Sequence, residues 1–129
     1  MEYEYGFEKL EVWKDARIFV TEIYSITKTF PTDERFALCT QMQRAAVSIV
    51  SNIAEGVSRK SFKEQIRYVE ISYGSLMEVY CQLCVSVDLN YITIEQKENI
   101  KLNINKIANK LNALNRSLKE RLTTETKNH

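Results

Sequence analysis

Apolar residues recur along the chain at alternating intervals of three and four, the spacing that gathers them on one face of an α-helix. Trp13, Ala16, Val20, Ile23, Thr27 and Phe30 form the first such stripe, widened by Val12, Phe19 and Ile26. This pattern predicts a helix over about residues 8–29. Phe30-Pro31-Thr32 closes it, because proline disfavours a helical residue before it. Thr32 is placed to cap the next helix, with Asp33 and Glu34 at its positive dipole end. A second stripe of Leu38, Met42, Ala45, Ile49 and Ile53, flanked by Cys39, Ala46 and Val50, predicts a helix over about 33–55. Gly56 then stands where a left-handed residue ends a helix. Ser61 and Glu64 have capping-box spacing at the head of a third helix, about 62–88, whose stripe is Phe62, Ile66, Val69, Tyr73, Leu76, Tyr80, Leu83 and Val87. After a turn at Asp88 to Ile92, Thr93 and Gln96 repeat that spacing. Ile100, Ile104, Ile107, Leu111, Leu114 and Leu118 then predict a fourth helix over about 94–121.

Four helices joined by short connections must pack as antiparallel neighbours, since a few residues cannot span the roughly 30 Å of a 20-residue helix. The expected fold is therefore all-α, an up-down-up-down four-helix bundle forming a single domain over residues 1–129, with about 1–7 and 123–129 disordered. Composition agrees: with 3 Gly and 1 Pro in 129 residues, the turns of a β-sandwich or barrel have no material. A long coiled-coil dimer competes, but Pro31, Gly56 and the 88–92 turn interrupt the pattern where bundle loops belong. No apolar run approaches the roughly 20 residues that cross a bilayer, and the acidic start is unlike a secretory signal, so no membrane partner and a cytoplasmic location are expected. The three cysteines, Cys39, Cys81 and Cys84, read as reduced, packing thiols.

Charge sharpens this picture little. The formal net charge is +1, yet residues 1–94 carry 10 Lys/Arg against 13 Asp/Glu and residues 95–129 carry 8 against 4. Arg59, Lys60, Lys63 and Arg67 gather at the start of the third helix, where free backbone N–H groups already favour anions. Lys101, Lys106, Lys110 and Arg116, with Lys119, lie off the apolar stripe of the fourth helix among five asparagines. These are the candidate nucleic-acid-binding residues; the plainer alternative is a solvated polar face.

Catalytic chemistry finds little footing. Cys81-Gln-Leu-Cys84 has metal or redox spacing, but zinc needs four ligands and the one histidine is His129. Without an internal histidine a nucleophile has no evident base, and no Gly-rich loop is present to cradle phosphate. Glu55, Glu70 and Glu78 are conceivable paired carboxylates, yet the Glu-x-x-His signature of di-iron bundles is missing. No catalytic, metal or cofactor site is expected, and an enzyme with an unrecognised site is the distant alternative. Asn52 falls on the apolar stripe of the second helix, three residues after Ile49, with Ser48 and Ser51 beside it. A buried amide there needs partners, and Gly74-Ser75 in the middle of the third helix is the expected complement, the glycine permitting close approach.

Phe30-Pro31, then Glu34-x-Phe36-x-Leu38-x-x-Gln41-x-x-Arg44-Ala45-Ala46-x-Ser48-Ile49-x-x-Asn52-Ile53-Ala54-Glu55-Gly56, and Gly74-Ser75-x-x-Glu78 resemble the bacterial four helix bundle protein family, also called the 23S rRNA intervening-sequence protein family. The likeness runs from Leu10-x-x-Trp13 to Asn90-Tyr-Ile92. It implies a four-helix bundle that assembles into a homopentamer, is encoded in some bacteria within insertions of the large-subunit rRNA gene and has no established catalytic activity. It implies, too, that Asn52, Glu55, Gly56, Gly74 and Ser75 are structural motif residues. The chain is also similar to the accessory variability proteins of diversity-generating retroelements, pentamers associated with reverse transcriptase and nucleic acid; those are strongly basic, and here the net charge of +1 departs. Two functions are therefore expected: a non-enzymatic, oligomeric module associated with RNA or a nucleoprotein, or a self-assembling protein scaffold without nucleic acid. Apolar supply supports assembly, since Val12, Phe19, Tyr24 and Tyr68 exceed what one seam requires.

Overall fold

A computed structural model describes residues 3–128; the disorder expected at residues 1, 2 and 129 lies outside the described residues. Four α-helices follow in order: α1 Glu11–Thr27, α2 Leu38–Val57, α3 Phe62–Asp88 and α4 Ile94–Lys127, with 3-10 turns at Gly6–Lys9 and Thr32–Glu34. Each helix packs on the next in sequence and α4 returns to α1, completing the expected all-α bundle; the α2–α3 seam is the most extensive and α1–α4 the least. Phe19, Ile23, Met42, Ile49, Ile53, Leu76, Leu83, Ile107 and Leu111 fill the centre, all at most 1% exposed. Each such side chain contributes about 1.5–3 kcal/mol of burial.

The differences from the sequence reading have local causes. The first helix does not run unbroken from residue 8, because Leu10 is extended and Glu8 closes the preceding turn by accepting a 3.1 Å hydrogen bond from the Tyr5 amide. Phe7 consequently meets Trp13 edge-on, ring centroids 5.0 Å apart. Thr32 does not cap α2, which begins at Leu38 after a bend with no side-chain cap. The bend holds Glu34 where the Tyr91 hydroxyl donates to its Oε2 at 2.7 Å, and the Thr40 hydroxyl donates to the Arg35 carbonyl at 2.8 Å. This contact ties the α1–α2 connection to the α3–α4 connection and defines the upper end of the bundle.

Ser61 caps α3 by accepting from the Glu64 amide at 3.1 Å, and Thr93 with Gln96 forms a complete capping box on α4. Between them, α3 stops at Asn90, which takes the left-handed conformation at φ 63°, while the Tyr91 amide donates to the Ser86 carbonyl. The irregular tail expected from residue 123 is helical to Lys127. Thr123, Thr124 and Thr126 satisfy their hydroxyls by donating to carbonyls four residues back, and the packing of Leu122 against the core anchors these last turns.

Candidate functional site

The candidate residues fall into two sets, a seam between α2 and α3 and a basic set that the fold divides. In the seam, Gly56 lies inside α2 without positive φ, correcting its reading as a left-handed terminator. A Cβ there would stand 2.8 Å from the Tyr68 Cβ, so the glycine is required because α3 passes against the backbone of α2. Asn52 is half-buried and donates to the Ser48 carbonyl at 2.8 Å and to the Ser48 Oγ at 3.0 Å. Helix α3 enters through Ser48, whose Oγ shares a 2.9 Å hydrogen bond with the Ser75 Oγ. Ser72, fully buried, donates to the Ile49 carbonyl at 3.0 Å. Sequence reasoning missed Ser72 and Ser86, both 0% exposed, because the α3 stripe was assigned to neighbouring Tyr73 and Val87. Gly74 does not serve close approach within the chain: it is exposed, and a Cβ would meet nothing within 4 Å.

Of the basic residues, Arg59 is engaged, 3.7 Å from Glu55, donating to the Tyr68 hydroxyl at 2.9 Å and lying over its ring. Lys60, Lys63 and Arg67 beside it are exposed and have no ion-pair partner among the described residues. Along α4 the set divides. Lys106 pairs with Asp15 at 3.5 Å, and Lys110 pairs with Asp15 and with Glu11 at 3.3 Å, so acids of α1 neutralise both. Hydrogen bonding to Asp15 holds the Lys110 ammonium above the usual lysine range. Lys101 sits over the Tyr80 ring at 5.2 Å, and its interaction with that tyrosine likewise raises it.

Arg116 is exposed and lines an open groove of about 600 Å³ on lower α4 with Asn112, Asn115 and Lys119. Lys119 reaches Glu70 of α3 at 3.9 Å, and the Asn115 Oδ1 is buried with no hydrogen-bond donor among the described residues. The groove was not legible in the sequence, where Asn112 and Asn115 read only as polar spacers. Lys60, Lys63 and Arg67 belong to the lower end, where α3 begins; Arg116 stands higher, about one turn before the Lys119 that meets Glu70 and near the level of Tyr73.

Other expectations are corrected here. Val12 and Phe19, expected on a surface for a neighbour, are 6% and 1% exposed, because α1 turns them into the core; Tyr24 remains 40% exposed. Cys81 is exposed and does not pack, whereas Cys39 is buried, its thiol raised by desolvation and donating to the Thr27 carbonyl. Glu55 and Glu70 are exposed and paired with cations instead of with each other. No described helix is long and apolar enough to cross a membrane.

The arrangement is a four-helix bundle whose candidate basic residues lie on its polar outer surface. The sequence pattern of the family described as 23S rRNA-intervening sequence protein matches residues 8–113, and the chain belongs to that family. Its fold is similar to the crystal structure of a protein of unknown function from the S23 ribosomal protein family of Bacteroides thetaiotaomicron, at a TM-score of 0.72 and 24% identity, covering 81% of this chain and 97% of that one. No curated protein matches the chain.

Proposed function

We propose that the chain is a non-enzymatic bundle module that assembles as a homo-oligomer, a homopentamer, and contacts RNA through its lower end. The observation that carries the reading is the grouping there of Lys60, Lys63 and Arg67, none with an ion-pair partner among the described residues. Three cations are a thin footprint for one chain, but symmetric copies multiply it, and phosphate contacts supply most sequence-independent affinity. The exposed groove residue Asn112 adds an amide donor and acceptor suited to ribose and base edges. Membership of a family described by an rRNA intervening sequence agrees with this reading.

The scaffold reading, without nucleic acid, is favoured by one observation, the neutralisation of Lys106 and Lys110 by Asp15 and Glu11. Recovery of the protein from its native cell, with sequencing of bound RNA, names any partner. Fluorescence anisotropy with a labelled single-stranded RNA then tests the site. The wild type should bind with an affinity that falls as salt rises, and Lys63→Glu with Arg67→Glu should abolish binding while light scattering shows unchanged assembly. Absence of binding at low salt, or binding indifferent to those substitutions, would leave the scaffold.

A further inference from the structure

Two residues have placements that contacts within one chain do not explain. Phe36, in the bend before α2, is 87% exposed, with the Arg35 guanidinium 5.7 Å from its ring centroid. Gly74 lies in the middle of the 27-residue α3, where glycine is disfavoured relative to alanine. Its φ is not positive, so the left-handed region is not the reason, and an added Cβ would meet nothing within 4 Å, so internal crowding is not the reason either.

The surroundings of the two are complementary. Lys28 and Arg35 beside Phe36 have no ion-pair partner among the described residues, and both line a cavity of about 490 Å³ walled by Phe30 and Pro31. Beside Gly74, Ile71 is 41% exposed, and Glu78, one turn further along α3, is exposed without an ion-pair partner among the described residues. One surface is thus an aromatic knob flanked by cations. The other is a notch with an apolar shoulder and a carboxylate.

We infer that these surfaces fit each other between copies of this chain: Phe36 of one copy seats over Gly74 of the next, against Ile71, with Arg35 or Lys28 reaching Glu78. The missing side chain at position 74 lets the aromatic ring approach the helix backbone, which a Cβ would hold away. Because knob and notch are different patches, the contact is head-to-tail, so repeated copies extend into a ring or an open chain instead of stopping at a two-fold pair. The inference rests on the assembly part of the proposed function and is independent of RNA.

A photo-reactive benzoylphenylalanine at position 36 of the full chain provides the test, with cross-linked peptides mapped by mass spectrometry and assembly followed by light scattering. Cross-links are expected between chains and into residues 71–78. Gly74→Leu should weaken association at least about tenfold, the loss typical of a blocked interface centre, while the dissociated chain melts no lower than the wild type. Phe36→Ala should weaken it also, and the double variant should lose less than the sum of the two. If the wild type assembles but cross-links map elsewhere, or Gly74→Leu assembles normally, this contact is wrong while assembly stands. A wild type that stays monomeric at micromolar concentration removes both.

Discussion

The seam between α2 and α3 and the seam between α1 and α4 join neighbouring helices by different means. The first is fixed by closeness: Gly56 leaves no room before Tyr68, the Ser48 and Ser75 hydroxyls touch, and Ser72 reaches the Ile49 carbonyl. The second is bridged by long charged side chains, Lys106 and Lys110 to Asp15 and Glu11, and Asn103 to Glu22 at 3.0 Å. Grooves remain open between α1 and α4, one of about 290 Å³ lined by Ile26 and Ile100. Atomic exclusion fixes helix register irrespective of salt, whereas ion pairs hold position only as far as water and ions leave them unscreened. The bundle therefore has a stiff side and an adjustable side.

Gly56→Ala should mark that difference most strongly. Alanine gains about 1 kcal/mol of helix propensity, but its Cβ would sit 2.8 Å from the Tyr68 Cβ, which is close to the backbone and cannot swing away. Overpacking of this kind costs about 1–3 kcal/mol, and a net loss is expected in urea unfolding. Stability equal to or above the wild type would mean that the stiff seam yields freely. Ser72→Ala should cost about 1 kcal/mol, the net value of one hydrogen bond, with no change between low and high salt.

Asp15→Asn should have the smallest effect and the opposite signature. Because the folded state raises the Lys110 value, chiefly through its hydrogen bond to Asp15, the pair adds stability while the lysine is protonated. That contribution is lost as pH rises through the folded value, alkaline of the ordinary lysine range. Asp15→Asn should therefore lower the melting temperature slightly at neutral pH in dilute buffer. The difference from the wild type should vanish in about 1 M salt and as pH rises through the raised Lys110 value. A difference that persists in salt would show that Asp15 acts by packing.

Helix number, order and most of the core were legible because apolar spacing reports directly which face is buried. Met42, Ile49, Ile53, Leu76, Leu83 and Ile107 all sit where the stripes place them. The caps at Ser61 and Thr93 were equally visible, since each depends on a side chain and an amide three residues away. Legibility ended where a long-range partner decides the outcome. Glu34 is drawn to Tyr91, 57 residues on, and the bend that serves this contact leaves α2 to begin at Leu38. Close approach was expected at Gly74 and occurs at Gly56, because whether a backbone is crowded depends on what crosses it. In the basic set, the cations of α4 were legible, but not that Asp15 and Glu11 of the same chain, on α1, would neutralise two of them.

The unequal lengths of the helices carry a mechanical consequence. Helix α1 has 17 residues and α4 has 34, spans of roughly 25 and 51 Å at 1.5 Å per residue. Lys110 stands opposite Glu11, the first residue of α1, while α4 continues to Lys127. Below that level α4 runs on beside α3 as far as the Lys119–Glu70 pair without α1 behind it, while α2 still backs α3 through Gly56 and Tyr68, so the lower end is a three-helix prolongation of a four-helix stock. Loosening of α4 in that stretch leaves the four-helix level above it intact.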